Sequence, residues 1–198
     1  MNLSLVGVPL PLRLKSETPV SDEQLMAFCA ANDILRVERD ANGEVIVMTP
    51  TGAASGGRNM DISTDLNIWA RRNGQGKAFD SSTGFILPDG SMRSADAAWL
   101  LMQRWEALSK EQQRGFAPIC PDFIIELRSP SDHLANLRAK MMLWLANGAQ
   151  LAWLIDPITE SVTIYRPDKK IKIMHHPTSV QGEGVMDGFE LVMARIWA

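Results

Sequence analysis

Pro121-Asp122-Phe123-Ile124-Ile125-Glu126-Leu127-Arg128-Ser129-Pro130-Ser131-Asp132 is the stretch that decides how this chain is read. Period-two alternation puts Phe123, Ile125 and Leu127 on one face of a buried strand, and Asp122, Ile124, Glu126 and Arg128 on the other. Glu126 and Arg128 therefore point the same way, near the exposed end. Pro130 stops the strand, and Ser131 or Asp132 is placed to cap a helix. That helix carries Leu134, Leu137, Met141 and Leu145 as one stripe and closes near Asn147-Gly148. Lys140 lies on the shoulder of the stripe, one turn from Asn136 and one from Trp144. A strand carboxylate and a lysine on the next helix can meet at one cleft, which is the starting hypothesis for a site.

Outward from this centre, the chain has 198 residues, enough for one sizeable domain and too few for two comfortable ones. Hydrophobic residues make up 45% and charged residues 22%, ordinary for a globular chain. No apolar run is long enough to cross a bilayer. Leu3–Leu14 is mildly apolar but broken by Pro9 and Pro11, lacks a basic start, and is not read as a signal peptide. Cys29 and Cys120 make neither a disulfide framework nor a metal-ligand spacing; both read as reduced core residues, which predicts a cytoplasmic location. The net charge of −3 lacks the basic surplus of many nucleic-acid binders, although a local basic patch can sit on an acidic protein.

Residues 1–20 read as an extended or irregular segment, with prolines throughout. Ser21 and Gln24 form a capping box for a helix that reaches Asn32 and buries Leu25, Phe28 and Cys29. Ile34–Arg39 and Glu44–Met48 flank Asn42-Gly43 as a hairpin, with Glu38 among apolar neighbours. The small-residue run 49–57 has no lysine after its glycines and fails the phosphate-loop pattern. A helix over Arg58–Arg72 buries Ile62, Leu66 and Trp69 and leaves Asn59, Asp61 and Asp65 on its polar side. A second hairpin pairs Lys77–Leu87 with Met92–Leu101 and carries Asp96 on its return strand. A short helix follows over Arg104–Arg114, then, after the central strand and helix, strands at Leu151–Asp156, Ser161–Arg166 and Lys169–Met174. This order predicts an α/β fold, a mixed sheet flanked by helices.

Asp96, Glu126 and Lys140, with Glu38 as a fourth member, form the chemically informative set. Two carboxylates on neighbouring strands repel when ionised and dry, and are tolerated when they hold a divalent cation. Hard oxygen ligands suit Mg²⁺ or Mn²⁺. A lysine beside such an ion orients water or stabilises a developing anion, a combination suited to phosphodiester hydrolysis. Arg128 stays protonated and can clamp a phosphate or neutralise the acids. Structural roles are also open: Asp96 bonded to backbone near a turn, Glu126 in an ion pair with Arg128 or Lys140, Lys140 simply solvated.

The runs Gly84–Ser91 and Arg93-Ser94-Ala95-Asp96-Ala97-Ala98-Trp99 resemble the Uma-two family, a restriction-endonuclease-like group of the PD-(D/E)xK nuclease superfamily. So do Cys120–Ser131, Lys140, Gly148-Ala149 and Trp153-Leu154-Ile155-Asp156-Pro157. The resemblance implies a restriction-endonuclease-like core and a Mg²⁺-dependent (or Mn²⁺-dependent) endonuclease acting on DNA. It implies that Asp96 and Glu126 are metal ligands, that Lys140 has moved from the strand to the next helix, that Arg128 stands where the motif's lysine would be, and that Glu38 assists. Arg128 and Arg58 are candidate phosphate contacts, and a homodimer would let two sites cut two strands. This chain departs from relatives in having Ala95 where a proline is usual, Arg58 and Asn59 where many carry a histidine, and Asn136 where many carry an aspartate. The competing expectation is a nuclease fold kept as a non-catalytic DNA-binding or regulatory module. A third is hydrolysis of a small phosphate ester.

Overall fold

The computed structural model describes residues 11–32 and 34–198. Leu12–Leu14 (β1) opens the described chain as an edge strand whose Leu12 packs on a small core. The segment expected to be extended or irregular over 1–20 thus contains this short strand, and residues 1–10 lie outside the described residues. Asp22–Ala31 (α1) starts at the capping box: Ser21 Oγ accepts from the Gln24 N–H, and Gln24 accepts from the Ser21 N–H. Arg36–Arg39 (β2) and Val45–Met48 (β3) form the first hairpin, with Gly43 in the left-handed region its turn requires.

Ala53–Asn73 (α2) begins five residues before the expected Arg58. Its glycines disfavour a helix, but Ser55 and Asn59 are buried on one stripe with Ile62, Leu66 and Ala70, and that packing extends the helix backwards. Asn59 is thus on the buried side, not on the polar side. Asp61 and Asp65 face Arg195 instead.

The second hairpin is broken in both arms. Its outer pieces are Gly76–Asp80 (β4) and Ala97–Leu101 (β7); its tip is Phe85–Ile86 (β5) and Met92–Arg93 (β6). Asp80 ends one arm by accepting from the Ser82 N–H and from the hydroxyls of Ser82 and Thr83. Ser94-Ala95-Asp96 forms the break in the other. The expected helix over Arg104–Arg114 is two, Met102–Glu106 (α3) and Lys110–Arg114 (α4), because Ser109 and Gln112 make a second capping box. Phe123–Leu127 (β8) leads to Leu134–Ala146 (α5). Neither Ser131 nor Asp132 caps α5: His133 holds that position without a side-chain bond, and Asp132 accepts from the Ser129 N–H and hydroxyl. Leu151–Asp156 (β9), Ser161–Tyr165 (β10), Lys172–His175 (β11), Ser179–Gln181 (β12), Glu190–Val192 (β13) and Ala194–Trp197 (α6) complete the chain.

One sheet has six strands in the order β11-β10-β9-β8-β7-β4, and a second has five in the order β1-β3-β2-β6-β5. Only β8 and β9 run parallel in the larger sheet, as the α5 crossover between them requires. Phe123, Ile125 and Leu127 pack with Ile62 and Leu66 of α2, and Ile124 packs with Met141 and Trp144 of α5. The alternation read from β8 is the one observed, and the sheet is mixed and flanked by helices. The broken hairpin passes from one sheet to the other, so Ser94–Asp96 sits at their junction.

Candidate active site

Glu126 is held on the α5 face of β8, where Ile124 precedes it by two residues and the pleat repeats. It is 3% exposed. Trp144, one helical turn after Lys140, donates its indole N–H to Glu126 Oε1 at 2.9 Å. The Lys140 ammonium lies 3.0 Å from Oε1 and 3.2 Å from Oε2. The same ammonium lies 2.8 Å from Glu38 Oε1 and donates to the Ser94 carbonyl at 2.8 Å. All three ammonium protons thus have acceptors.

Glu38 points from β2 into this junction. Its second oxygen accepts from Arg93 at 2.8 Å, and Oε1 also accepts from the Ser94 N–H at 3.3 Å. Glu38 therefore ties the tip of the broken hairpin to Lys140. Asp96 stands just before β7, and the pairing of Ala97 with Ile125 brings it beside the end of β8. Its Oδ2 accepts from the Leu127 N–H at 2.8 Å, and its Oδ1 accepts from Asn59 at 3.1 Å. Arg36 approaches Asp96 Oδ1 to 3.8 Å.

Three carboxylates share this corner with Lys140, Arg93 and Arg36. Burial raises the pKa of Glu126, Lys140 opposes the rise, and the negative charges of Asp96 and Glu38 add to it; the result is a carboxyl pushed up to about 7. Burial also penalises ionised Glu38, but Lys140 and Arg93 prevail and hold it below the usual carboxylate range. Burial opposes the charge on Lys140, and the attraction of Glu126 and Glu38 overcomes it, so its pKa is raised. The two carboxylates thereby favour the protonated form of Lys140.

The structure brings Glu38, Glu126 and Lys140 into direct contact and sets Asp96 next to them. It does not bring in the two arginines expected at a phosphate. Arg128 is committed to Asp156 at 2.8 Å, and Arg58 donates to the Ala198 carbonyl at 2.8 Å. Sequence reasoning missed Asn59, Arg36, Arg93 and Trp144 as members. Signals existed for two: Arg36 is two residues from Glu38 on one strand face, and Asn59 keeps helical spacing with Ile62 and Leu66.

Among the described residues no three His, Cys, Asp or Glu side chains converge as a metal site. Asp96 and Glu126 are the two carboxylates at this corner that could hold a divalent cation, and neutral oxygens would have to complete the set. Asn59 Oδ1 is such an oxygen, buried and without a hydrogen-bond partner among the described residues. Hard donors of low count fit Mg²⁺ or Mn²⁺, which retain several waters.

The model of the Uma-two family, described as "Putative restriction endonuclease", matches residues 22–194, and the chain belongs to that family. No curated protein matches it. A crystal structure from Anabaena variabilis, described as a "putative nuclease", is similar with a TM-score of 0.67 and 20% identity, over 81% of this chain and 89% of the other. At that identity the likeness establishes a shared fold.

Proposed function

We propose that this protein is a divalent-cation-dependent endonuclease that hydrolyses DNA phosphodiester bonds. The observation that carries the reading is the convergence of Asp96, Glu126 and the Lys140 ammonium where the two sheets meet. A charge-balanced corner of this kind, with one carboxyl shifted to about 7, is costly to build as plain scaffolding and is typical of chemistry.

Asp96 and Glu126 would hold Mg²⁺ or Mn²⁺, with Asp96 kept in place by the Leu127 N–H. When bound, the cation supplies neutralisation of the phosphate oxygens and a lowered pKa for an attacking water. Lys140, whose charged form Glu126 and Glu38 favour, would orient that water and stabilise the anionic transition state. Glu38 is a positioning residue: it holds the same ammonium that Glu126 holds. Trp144 fixes the carboxylate plane of Glu126. Arg36, a third exposed and beside Asp96, is better placed than Arg128 or Arg58 to meet a scissile phosphate. A homodimer and a cytoplasmic setting belong to the same proposal.

The test is calorimetric titration of Mn²⁺ together with nicking of supercoiled plasmid, on wild type and Glu126→Ala. Loss of both in the variant is expected. Equal Mn²⁺ binding by both proteins would remove Glu126 from the metal site. One observation favours the second reading, a retained fold with a binding or regulatory role: Lys140 and both oxygens of Glu126 are already satisfied by each other, Glu38, Ser94 and Trp144. On that reading Glu126→Ala keeps full DNA binding and the wild type nicks nothing.

A further inference from the structure

Asn59 lies on the buried stripe of α2 and is 9% exposed. Its Nδ2 donates to Asp96 Oδ1 at 3.1 Å. Its Oδ1 is buried and accepts no hydrogen bond among the described residues. An amide oxygen removed from water without a donor costs roughly 1–3 kcal/mol. Turning the amide over does not relieve the cost, because it would set the amide oxygen against the Asp96 carboxylate. A buried oxygen with free lone pairs beside a carboxylate is a place for a cation.

We infer that Asn59 Oδ1 is a direct ligand of the divalent cation held by Asp96, an inference that rests on the cation-dependent reading above. The amide oxygen is a hard, neutral donor, the type that suits Mg²⁺ and Mn²⁺. It fills a need of this corner, since no third acidic, histidine or cysteine side chain joins the donor set among the described residues. It also brings the cation onto α2, so that the helix, β7 and β8 are joined through one ion. The rival role is narrower: Asn59 would only steady Asp96 through Nδ2.

The experiment uses the full chain. Mn²⁺ is titrated by calorimetry into wild type, Asn59→Leu and Asn59→His, and bound Mn²⁺ is followed by pulsed electron paramagnetic resonance. Leucine keeps the size and removes the oxygen; histidine places a ring nitrogen, Nδ1, at the chain position of Oδ1. Asn59→Leu is expected to weaken Mn²⁺ binding by about tenfold or more. Asn59→His is expected to show an imidazole-nitrogen coupling on the bound Mn²⁺ that the wild type lacks. Circular dichroism melting reports whether each variant folds; if the leucine variant does not, the histidine variant decides. Mn²⁺ bound to Asn59→His without nitrogen coupling, or wild-type affinity in Asn59→Leu, would overturn the inference while leaving the cation-dependent reading standing. A wild type that binds no Mn²⁺ would overturn both.

Discussion

At the scale of single residues, Glu126 is the group whose protonation matters. Burial, Asp96 and Glu38 push its pKa from 4.5 up to about 7 against the pull of Lys140. A carboxyl with a raised folded pKa binds more protons folded than unfolded. Its contribution to stability is fully present below the unfolded value of 4.5 and is lost as pH rises toward about 7. Urea denaturation across that window should show stability falling with pH, and Glu126→Gln should flatten the fall. Cation binding runs the other way, because the ligand must be ionised. Mn²⁺ affinity should rise as pH climbs through about 7, with proton release visible in buffers of different ionisation enthalpy. Lys140 is the second group. Lys140→Met leaves Glu38 and Glu126 buried without their shared cation, and should cost about 3–5 kcal/mol in denaturant titration. A loss near zero would mean that the ammonium does not hold these acids together.

At the scale of elements, the broken hairpin is the device that makes the corner. Its outer arms belong to the large sheet and its tip to the small one, so the residues between them are free to bond sideways. Ser94 offers its carbonyl to Lys140 and its N–H to Glu38, while Asp96 reaches Leu127 and Asn59. Glu38→Gln should lower plasmid nicking about tenfold while leaving Mn²⁺ binding nearly unchanged, because Glu38 acts through Lys140. A proportionate loss of Mn²⁺ binding would place Glu38 among the ligands instead. The outer arms depend on a close approach at Gly76, where an added Cβ would run into the Trp99 ring. Gly76→Ala should destabilise by about 1–3 kcal/mol, checked by thermal melting. The strand carrying Glu126 and the helix carrying Lys140 were legible because period two and helical spacing are local patterns. The break was not: Lys77–Leu87 and Met92–Leu101 each read as one strand, and only the competition between two sheets for the hairpin splits them. Asn59 was misplaced for a related reason. Its polarity suggested solvent, while its spacing with Ile62 and Leu66 pointed inward, and packing followed the spacing.

At the scale of the whole molecule, the six-stranded sheet between α2 and α5 acts as a frame that delivers one acid toward each helix: Asp96 toward Asn59 of α2 and Glu126 toward Lys140 of α5. Family membership and the shared fold agree with that frame, and the resemblance carried by the sequence around Glu126 led to the same family. What the residues alone could not supply was commitment. Arg128 shares a face with Glu126 yet is engaged by Asp156, because β9 runs alongside β8 and presents that acid. The net charge of −3 limits general attraction to DNA, so binding should depend on a few local cations such as Arg36 and weaken steeply with salt. The measurement that bears most directly on the account is the paired one on Glu126: Mn²⁺ calorimetry and supercoiled-plasmid nicking for wild type and Glu126→Ala. Wild type is expected to bind Mn²⁺ and to nick, and the variant to do neither. A variant that binds Mn²⁺ as the wild type does, or nicks at the same rate, would contradict it.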